Sequence, residues 1–162
     1  MSQPKARADT RPVRFLQAIP ILRIFDLGKA KEFYVDYLGF AVDWEHRFGP
    51  GLPVYMQISR GDLTLHLSEH HGDCTPGSTV FVITTGLREF HREISAKRYP
   101  KLRPGIERMP WNADVMEVVD PFGNRIRFNE YVRKWAEDRA RRARASRSSR
   151  RTVNRKSSRS HD

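Results

Sequence analysis

With one cysteine, Cys74, among 162 residues, the chain can close no internal disulfide. Its core has to be held by apolar packing, and a reducing cytoplasm is the expected compartment. No run of about 18 apolar residues occurs, which argues against a membrane-spanning helix, and Met1 to Arg14 lacks the apolar centre of a secretion signal. A Cys-x-x-Cys pair, a glycine-rich phosphate loop and a Ser, His, Asp order are all missing, which removes the commonest redox, nucleotide-binding and hydrolase signatures. The formal charge of +11 says nothing about the body of the chain, because residues 14–131 carry 15 Lys/Arg and 15 Asp/Glu. The excess lies at the ends, above all in residues 132–162, with 12 basic and 3 acidic side chains.

Residues 131–145 could extend as a helix, with Tyr131, Val132 and Trp135 as the only substantial apolar side chains, and from Arg144 onward the segment is Ser, Arg, Lys and Asn with a single Val153, so disorder is expected. Trp135 is its last aromatic, which leaves no basis for extended base stacking or sequence readout. Nonspecific attraction to polyanions, a solubilising tail and incidental sequence remain as its three explanations. The organisation expected is a short arm over 1–13, one domain over 14–131, and the tail over 132–162.

What is present centres on Gly61 to Asp73, where Leu63, Leu65 and Leu67 alternate with Thr64, His66 and Ser68. This is the period of a strand with one packed and one accessible face. Arg125 to Glu130 repeats it, with Leu65 on Ile126, His66 on Arg127, Leu67 on Phe128 and Glu69 on Glu130, which points to an internal repeat. The rest fits the repeat. Strands are expected over 15–25, 41–46, 54–59 and 62–68, with a helix over 29–38 capped by Asp26 and ended by Gly39. Strands over 79–84, 115–119 and 125–129 follow, with a helix over 87–96. Residues 101–110 make a loop or irregular strand broken by Pro104 and Pro110, and Asp120-Pro121-Phe122-Gly123 suits a type I turn. The class is α+β, with two similar halves.

Candidate site residues follow from strand phase. His66 faces away from the helices if Leu65 and Leu67 face them, and can either contact a ligand or be a satisfied polar residue on an inner face. Trp44, Phe48, Tyr55 and Trp111 are candidates for clamping a planar ligand, with core or dimer packing as the plainer alternative. His66, His70 and Glu117 could hold a metal, although His70 and His71 more simply stabilise a turn. Cys74, with no Lys or Arg beside it, reads as an ordinary thiol.

Three stretches together resemble a known family: 24–40 (Ile-Phe-Asp-Leu-Gly-Lys-Ala-Lys-Glu-Phe-Tyr-Val-Asp-Tyr-Leu-Gly-Phe), 65–73 (Leu-His-Leu-Ser-Glu-His-His-Gly-Asp), and Pro110-Trp111 followed by Asp120 to Asn124. They are similar to the glyoxalase/bleomycin-resistance/extradiol-dioxygenase (vicinal oxygen chelate) superfamily, and specifically to its bleomycin-resistance branch, over roughly 16–130. The resemblance implies two βαβββ modules whose curved mixed sheets make a cup. It places the family's metal ligands at Ile19, His66, Ser78 and Arg127, a set with one ligand-type side chain, so no metal and no other cofactor is expected. It further implies drug sequestration by a homodimer, with Arg23, Trp44, Phe48, Tyr55, Gln57, His66, Ser68, Trp111, Glu117 and Arg127 as ligand-binding residues. Asp43, Glu45 or Glu117 would offset the two arginines if the ligand is cationic. The competing classes are a metal-dependent lyase or dioxygenase of the same superfamily and a nucleic-acid-associated protein acting through its tail.

Overall fold

The structure, a computed structural model, describes residues 13–97, 99–100 and 102–132. It builds the same unit twice. The first module runs β1 (Ile21–Arg23), α1 (Leu27–Lys31), β2 (Ala41–Arg47), β3 (Val54–Arg60) and β4 (Leu63–Ser68). The second runs β5 (Thr79–Ile83), α2 (Leu87–Ala96), β6 (Ile106–Met109), β7 (Ala113–Val119) and β8 (Arg125–Tyr131). Each sheet has four strands, in the orders β1-β4-β3-β2 and β5-β8-β7-β6, with the first strand parallel to the last and the others antiparallel. This is the α+β architecture of paired βαβββ modules.

The registers express the repeat. His66 stands between Ile21 and Gln57, and Arg127 stands between Phe81 and Glu117 in the corresponding place. Leu65, Leu67, Ile126 and Phe128 are buried in one core with Phe33, Tyr34, Met56, Ile58, Leu87, Ile94 and Met116. The packed faces of both sheets therefore share the interior with the helices, and the opposite faces, carrying His66 and Arg127, turn outward.

Three expected elements differ. The first strand is not Phe15–Phe25 but three residues long. Ile21 pairs with His66, so anything before Ala18 runs past the start of β4 at Leu63 and has no strand neighbour among the described residues. Pro20, which has no N–H, contributes only its carbonyl, accepting from His66 N at 2.9 Å. Phe15 is consequently 99% exposed. The first helix starts at Leu27, with Asp26 Oδ1 accepting from Lys29 N at 2.8 Å, and continues over Glu32–Tyr37 as a π-helical segment. In its wider turn Phe33, Tyr34 and Tyr37 are all buried. Gly39, at φ 75°, closes it in the left-handed region that glycine adopts freely. Finally, Ile106–Met109 forms a regular edge strand between Pro104 and Pro110.

The modules are fastened by buried polar groups. Asp120 opens the turn before β8, accepting Gly123 N at its carbonyl (3.1 Å) and Phe122 N and Asn124 N at Oδ1 (2.9 and 2.7 Å). Its Oδ2 accepts from Tyr34 Oη of the first module at 2.7 Å, and Asn124 Nδ2 donates to the Arg23 carbonyl at 2.7 Å. Desolvation, followed by the Asp120 charge, raises the Tyr34 phenol well above its ordinary pKa, so it stays a donor. No helix among the described residues is long and apolar enough to cross a membrane.

Candidate functional site

Because Met56, Ile58, Leu65 and Leu67 face the core, alternation places Tyr55, Gln57, Ser59, Thr64, His66 and Ser68 on the outward face of the first sheet. β2 adds two consecutive residues to that face. The register shifts between Val42 and Trp44, and this bulge lets both Asp43 and Trp44 reach it, which plain alternation forbids. Trp44 stacks on Tyr55, with centroids 5.9 Å apart and planes at 13°, and meets His66 edge-on at 5.5 Å.

Beneath the rings runs a directed chain of hydrogen bonds. Asp43 accepts from Gln57 Nε2 at 2.9 Å and from Ser59 Oγ at 2.7 Å. That fixes the amide, so Gln57 Oε1 faces His66 Nε2 at 3.0 Å and the imidazole proton lies on Nε2. His66 Nδ1 is then the acceptor for Tyr55 Oη at 2.8 Å. Burial lowers the His66 pKa and keeps the ring neutral, and burial, followed by the Asp73 charge, raises the Tyr55 phenol. The bonds from Gln57 and Ser59 lower the Asp43 carboxyl. The face thus ends in acceptors, the Tyr55 oxygen and the Asp43 carboxylate.

Beyond Tyr55 lies a cavity of about 400 Å³ lined by Trp44, His46, Phe48, Tyr55, His70 and Asp73. Phe48 packs edge-on against His46 and His70, at 4.7 and 5.7 Å. Ser68 and Arg23 share this side by register but are buried. Ser68 Oγ donates to Asp73 Oδ2 at 2.5 Å and accepts from His70 N, while the Arg23 guanidinium lies 4.9 Å over the Phe25 ring. Glu45 leaves the face altogether, since it is opposite the core residue Met56 and pairs with Lys31 of the helix. Burial and Asp73 push the Cys74 thiol up, which disfavours the thiolate a nucleophile requires.

The outward face of the second sheet is a separate surface. Glu117 Oε2 accepts from Arg127 Nε at 2.5 Å, and its Oε1 accepts from Arg125 Nη1 at 3.0 Å. The Arg127 bond, ahead of all other causes, holds the Glu117 carboxyl below its ordinary range. Trp111 folds over the same side and donates from Nε1 to Asn129 Oδ1 at 3.2 Å. Phe81, Ile83, Trp111 and Val119 leave this face exposed and apolar in part. The candidate residues therefore fall into an assembled group, Trp44, Tyr55, Gln57 and His66 with Phe48 at its rim, and a second group, Trp111, Glu117 and Arg127, on the other sheet. Asn129 was not foreseen, although it stands two residues beyond Arg127 and so on the same face.

A family model described as "Glyoxalase superfamily protein" matches residues 5–134. The chain belongs to the glyoxalase superfamily. Among solved structures it resembles a bleomycin-binding protein complexed with bleomycin, at 25% identity over 73% of this chain and 100% of that one, TM-score 0.56. It resembles the bleomycin-binding protein of bleomycin-producing Streptomyces verticillus, complexed with copper(II)-bleomycin, at 26% identity over 72% and 97% of the two chains, TM-score 0.57. A bleomycin resistance determinant encoded on the transposon Tn5 shares the fold at 23% identity over 72% and 98%, TM-score 0.57. No curated protein matches the chain.

For a glyoxalase superfamily member, the inherited metal positions hold side chains that do not suit a cation. Ile19 has no donor atom, Ser78 Oγ is turned to the Thr75 carbonyl at 3.1 Å, and Arg127 brings a positive charge already paired with Glu117. His66 has both ring nitrogens engaged. Nor are His66, His70 and Glu117 gathered into a metal-holding group among the described residues. Among the described residues no group of three His, Cys, Asp or Glu side chains is placed to hold a metal ion.

Proposed function

We propose that this glyoxalase superfamily chain is a cytoplasmic sequestering protein that takes up a planar, bleomycin-type drug or a similar flat molecule, without a metal and without turnover, in clefts completed when two copies pair. The observation that carries this is the stacked Trp44–Tyr55 pair lying over the Asp43–Gln57–His66–Tyr55 chain. Such a floor offers ring area and fixed hydrogen-bonding ends, the two things a planar polar ligand needs. Two solved relatives at 25% and 26% identity are named for bleomycin binding, which supports the choice of ligand class. Pairing is supported by the outward faces themselves. β2 is exposed along its whole length, and Phe81, Ile83, Trp111 and Val119 leave large apolar side chains exposed on the outward face of the second sheet, the kind of surface that marks an interaction site.

A lyase or dioxygenase working through His66, His70 and Glu117 has less support, because His66 and Glu117 are already engaged and no group of three such side chains is placed to hold a metal ion among the described residues. Polyanion binding by the tail rests on its charge alone; the tail beyond Val132 lies outside the described residues. The deciding experiment titrates full-length protein with bleomycin, with and without chelator, following melting temperature and drug integrity. A ligand at 100 times its Kd stabilises the native state by about 2.7 kcal/mol. The expected result is a rise in melting temperature that chelator leaves unchanged, with the drug recovered intact. One tightly held Zn, Fe or Mn per chain, lost together with an activity, would overturn the proposal.

A further inference from the structure

β5 is the end strand of the second sheet, and one of its edges has no partner strand among the described residues. Which main-chain groups lie on that edge follows from the ladder on the other. Arg125 N donates to the Ser78 carbonyl at 2.8 Å, and Thr84 N donates to the Asn129 carbonyl at 2.9 Å. Alternate residues of a strand bond to a parallel neighbour, so Val80 and Val82 serve β8 as Ser78 and Thr84 do. Thr79, Phe81 and Ile83 therefore turn their N–H and C=O groups to the open edge.

A cavity of about 1000 Å³ runs along this edge. Residues 80–86 line it without a gap, from both faces of the strand, as a groove met edge-on requires. Its apolar lining includes Phe40, Leu63, Phe90 and Phe128, and Gln17, Ala18 and Pro20 stand on the side of the first module. Three carboxylates, Asp62, Glu89 and Glu93, face one guanidinium, Arg60, which Glu93 holds through Nη2 at 2.6 Å. These charges gather at one end, because Glu89 and Glu93 lie on α2 just after Gly86 and Arg60 ties the Asp62 turn to Glu93. Unmade main-chain bonds, an apolar lining and a net negative end thus occur together. None of the lining residues belongs to the Trp44–Tyr55 floor.

We propose that this groove docks an extended peptide of a partner protein, added to β5 as a further strand, with an apolar stretch and Lys or Arg at one end. The peptide main chain bonds to Phe81 and Ile83, its apolar side chains cover Leu63 and Phe128, and its basic end meets Asp62 and Glu89. This goes beyond the sequestering function and stands independently of it.

The probes are acetyl-Lys-Lys-Val-Thr-Val-Thr-Val-amide and acetyl-Val-Thr-Val-Thr-Val-Lys-Lys-amide, each titrated into nitrogen-15-labelled full-length protein. One of them should bind, move the backbone N–H signals of Phe81 and Ile83, and slow their exchange with solvent. Replacing its lysines by glutamates should weaken binding about tenfold at low salt, since attraction to Asp62 and Glu89 becomes repulsion. N-methylating either its valines or its threonines separates strand pairing from apolar adsorption. One of these two sets carries the N–H groups that face β5, and methylating it should abolish binding. Phe81→Pro removes an edge-facing N–H that β8 does not use and should likewise weaken binding. The methylated peptides are read on the native protein, so the proposal stays testable if that variant fails to fold. Equal binding of the parent and both methylated peptides overturns it, as do unmoved Phe81 and Ile83 signals or tighter binding of the glutamate peptide. So does protection of those two N–H groups in the free protein that is lost on dilution, which would make a second copy of this chain the occupant.

Discussion

Tyr55 Oη donates to His66 Nδ1 across 2.8 Å, and this bond terminates the relay that starts at Asp43. Since Gln57 Oε1 fixes the proton on Nε2, protonating Nδ1 would reverse the bond, with Nδ1–H donating and Tyr55 Oη accepting. Burial lowers the His66 pKa in the folded state. The unfolded chain then binds more protons as pH falls through the ordinary imidazole range, so stability should decline with acidification there and be insensitive to His66 above it. Ring-nitrogen NMR should show the Nε2–H tautomer at neutral pH, with a titration midpoint below that of an exposed histidine. A midpoint above it would contradict the relay.

Leu65 and His66 are adjacent but face opposite sides of the first sheet, and truncating them should have opposite consequences. Leu65 is wholly buried, and Leu65→Ala should cost about 2–5 kcal/mol by opening a cavity. His66→Ala should cost much less while weakening any ligand held on the ring floor. Denaturant unfolding of the two variants, paired with bleomycin titration, checks both; equal destabilisation would mean that the strand phase is wrong.

The Tyr34–Asp120 bond joins the modules inside the core. Tyr34→Phe keeps the ring and removes only the donor, leaving a buried carboxylate one partner short, and should cost about 1–3 kcal/mol. Asp120 retains its bonds from Phe122 N and Asn124, so the fold should survive, with a lower melting temperature in a calorimetric scan.

How much of this the sequence disclosed depended on what each residue answers to. α2 has the limits expected from Leu87 to Ala96, and the inward Leu65, Leu67, Ile126 and Phe128 follow from alternation alone, because local periodicity decides them. The length of β1 does not, since it is set by where β4 begins, 40 residues away at Leu63. Asp43 and Trp44 share a face only because of a bulge, and Glu45 goes to Lys31 for the same reason. Arg23 and Ser68 were placed on the correct side, but their burial depends on Phe25 and on the Asp73 loop folding over them. Asn129 was legible by its spacing from Arg127; its bond to Trp111 was not, because that depends on an indole 18 residues away.

Charge in the tail and charge in the body should be separable. Residues 132–162 hold 12 basic and 3 acidic side chains, whereas 14–131 are balanced. Deleting 132–162 should abolish most heparin retention at low salt and leave the melting temperature and bleomycin affinity nearly unchanged. Equal retention by both forms, or unfolding of the shortened chain, would show that the segment docks on the domain.

The Glu117–Arg127–Arg125 group gives the sharpest test of ligand charge. Both arginines are about half exposed, so breaking one pair should cost no more than about 1 kcal/mol of stability. Their effect on a ligand is a matter of sign. Arg127→Ala leaves Glu117 with Arg125 and removes one positive charge from the second face. Glu117→Gln leaves both guanidiniums without their carboxylate. For a cationic bleomycin-type drug, Arg127→Ala should preserve or raise affinity and Glu117→Gln should lower it, with both effects shrinking in high salt as screening shortens the reach of the charges. An anionic ligand would reverse the order, losing about 1–3 kcal/mol when the charged hydrogen bond from Arg127 is removed. Calorimetric titration at two salt concentrations distinguishes them. If bleomycin binds the Glu117→Gln protein more tightly than the native one, the second face is not part of a wall for cationic drugs, and the ligand is held by the Trp44–Tyr55 floor alone.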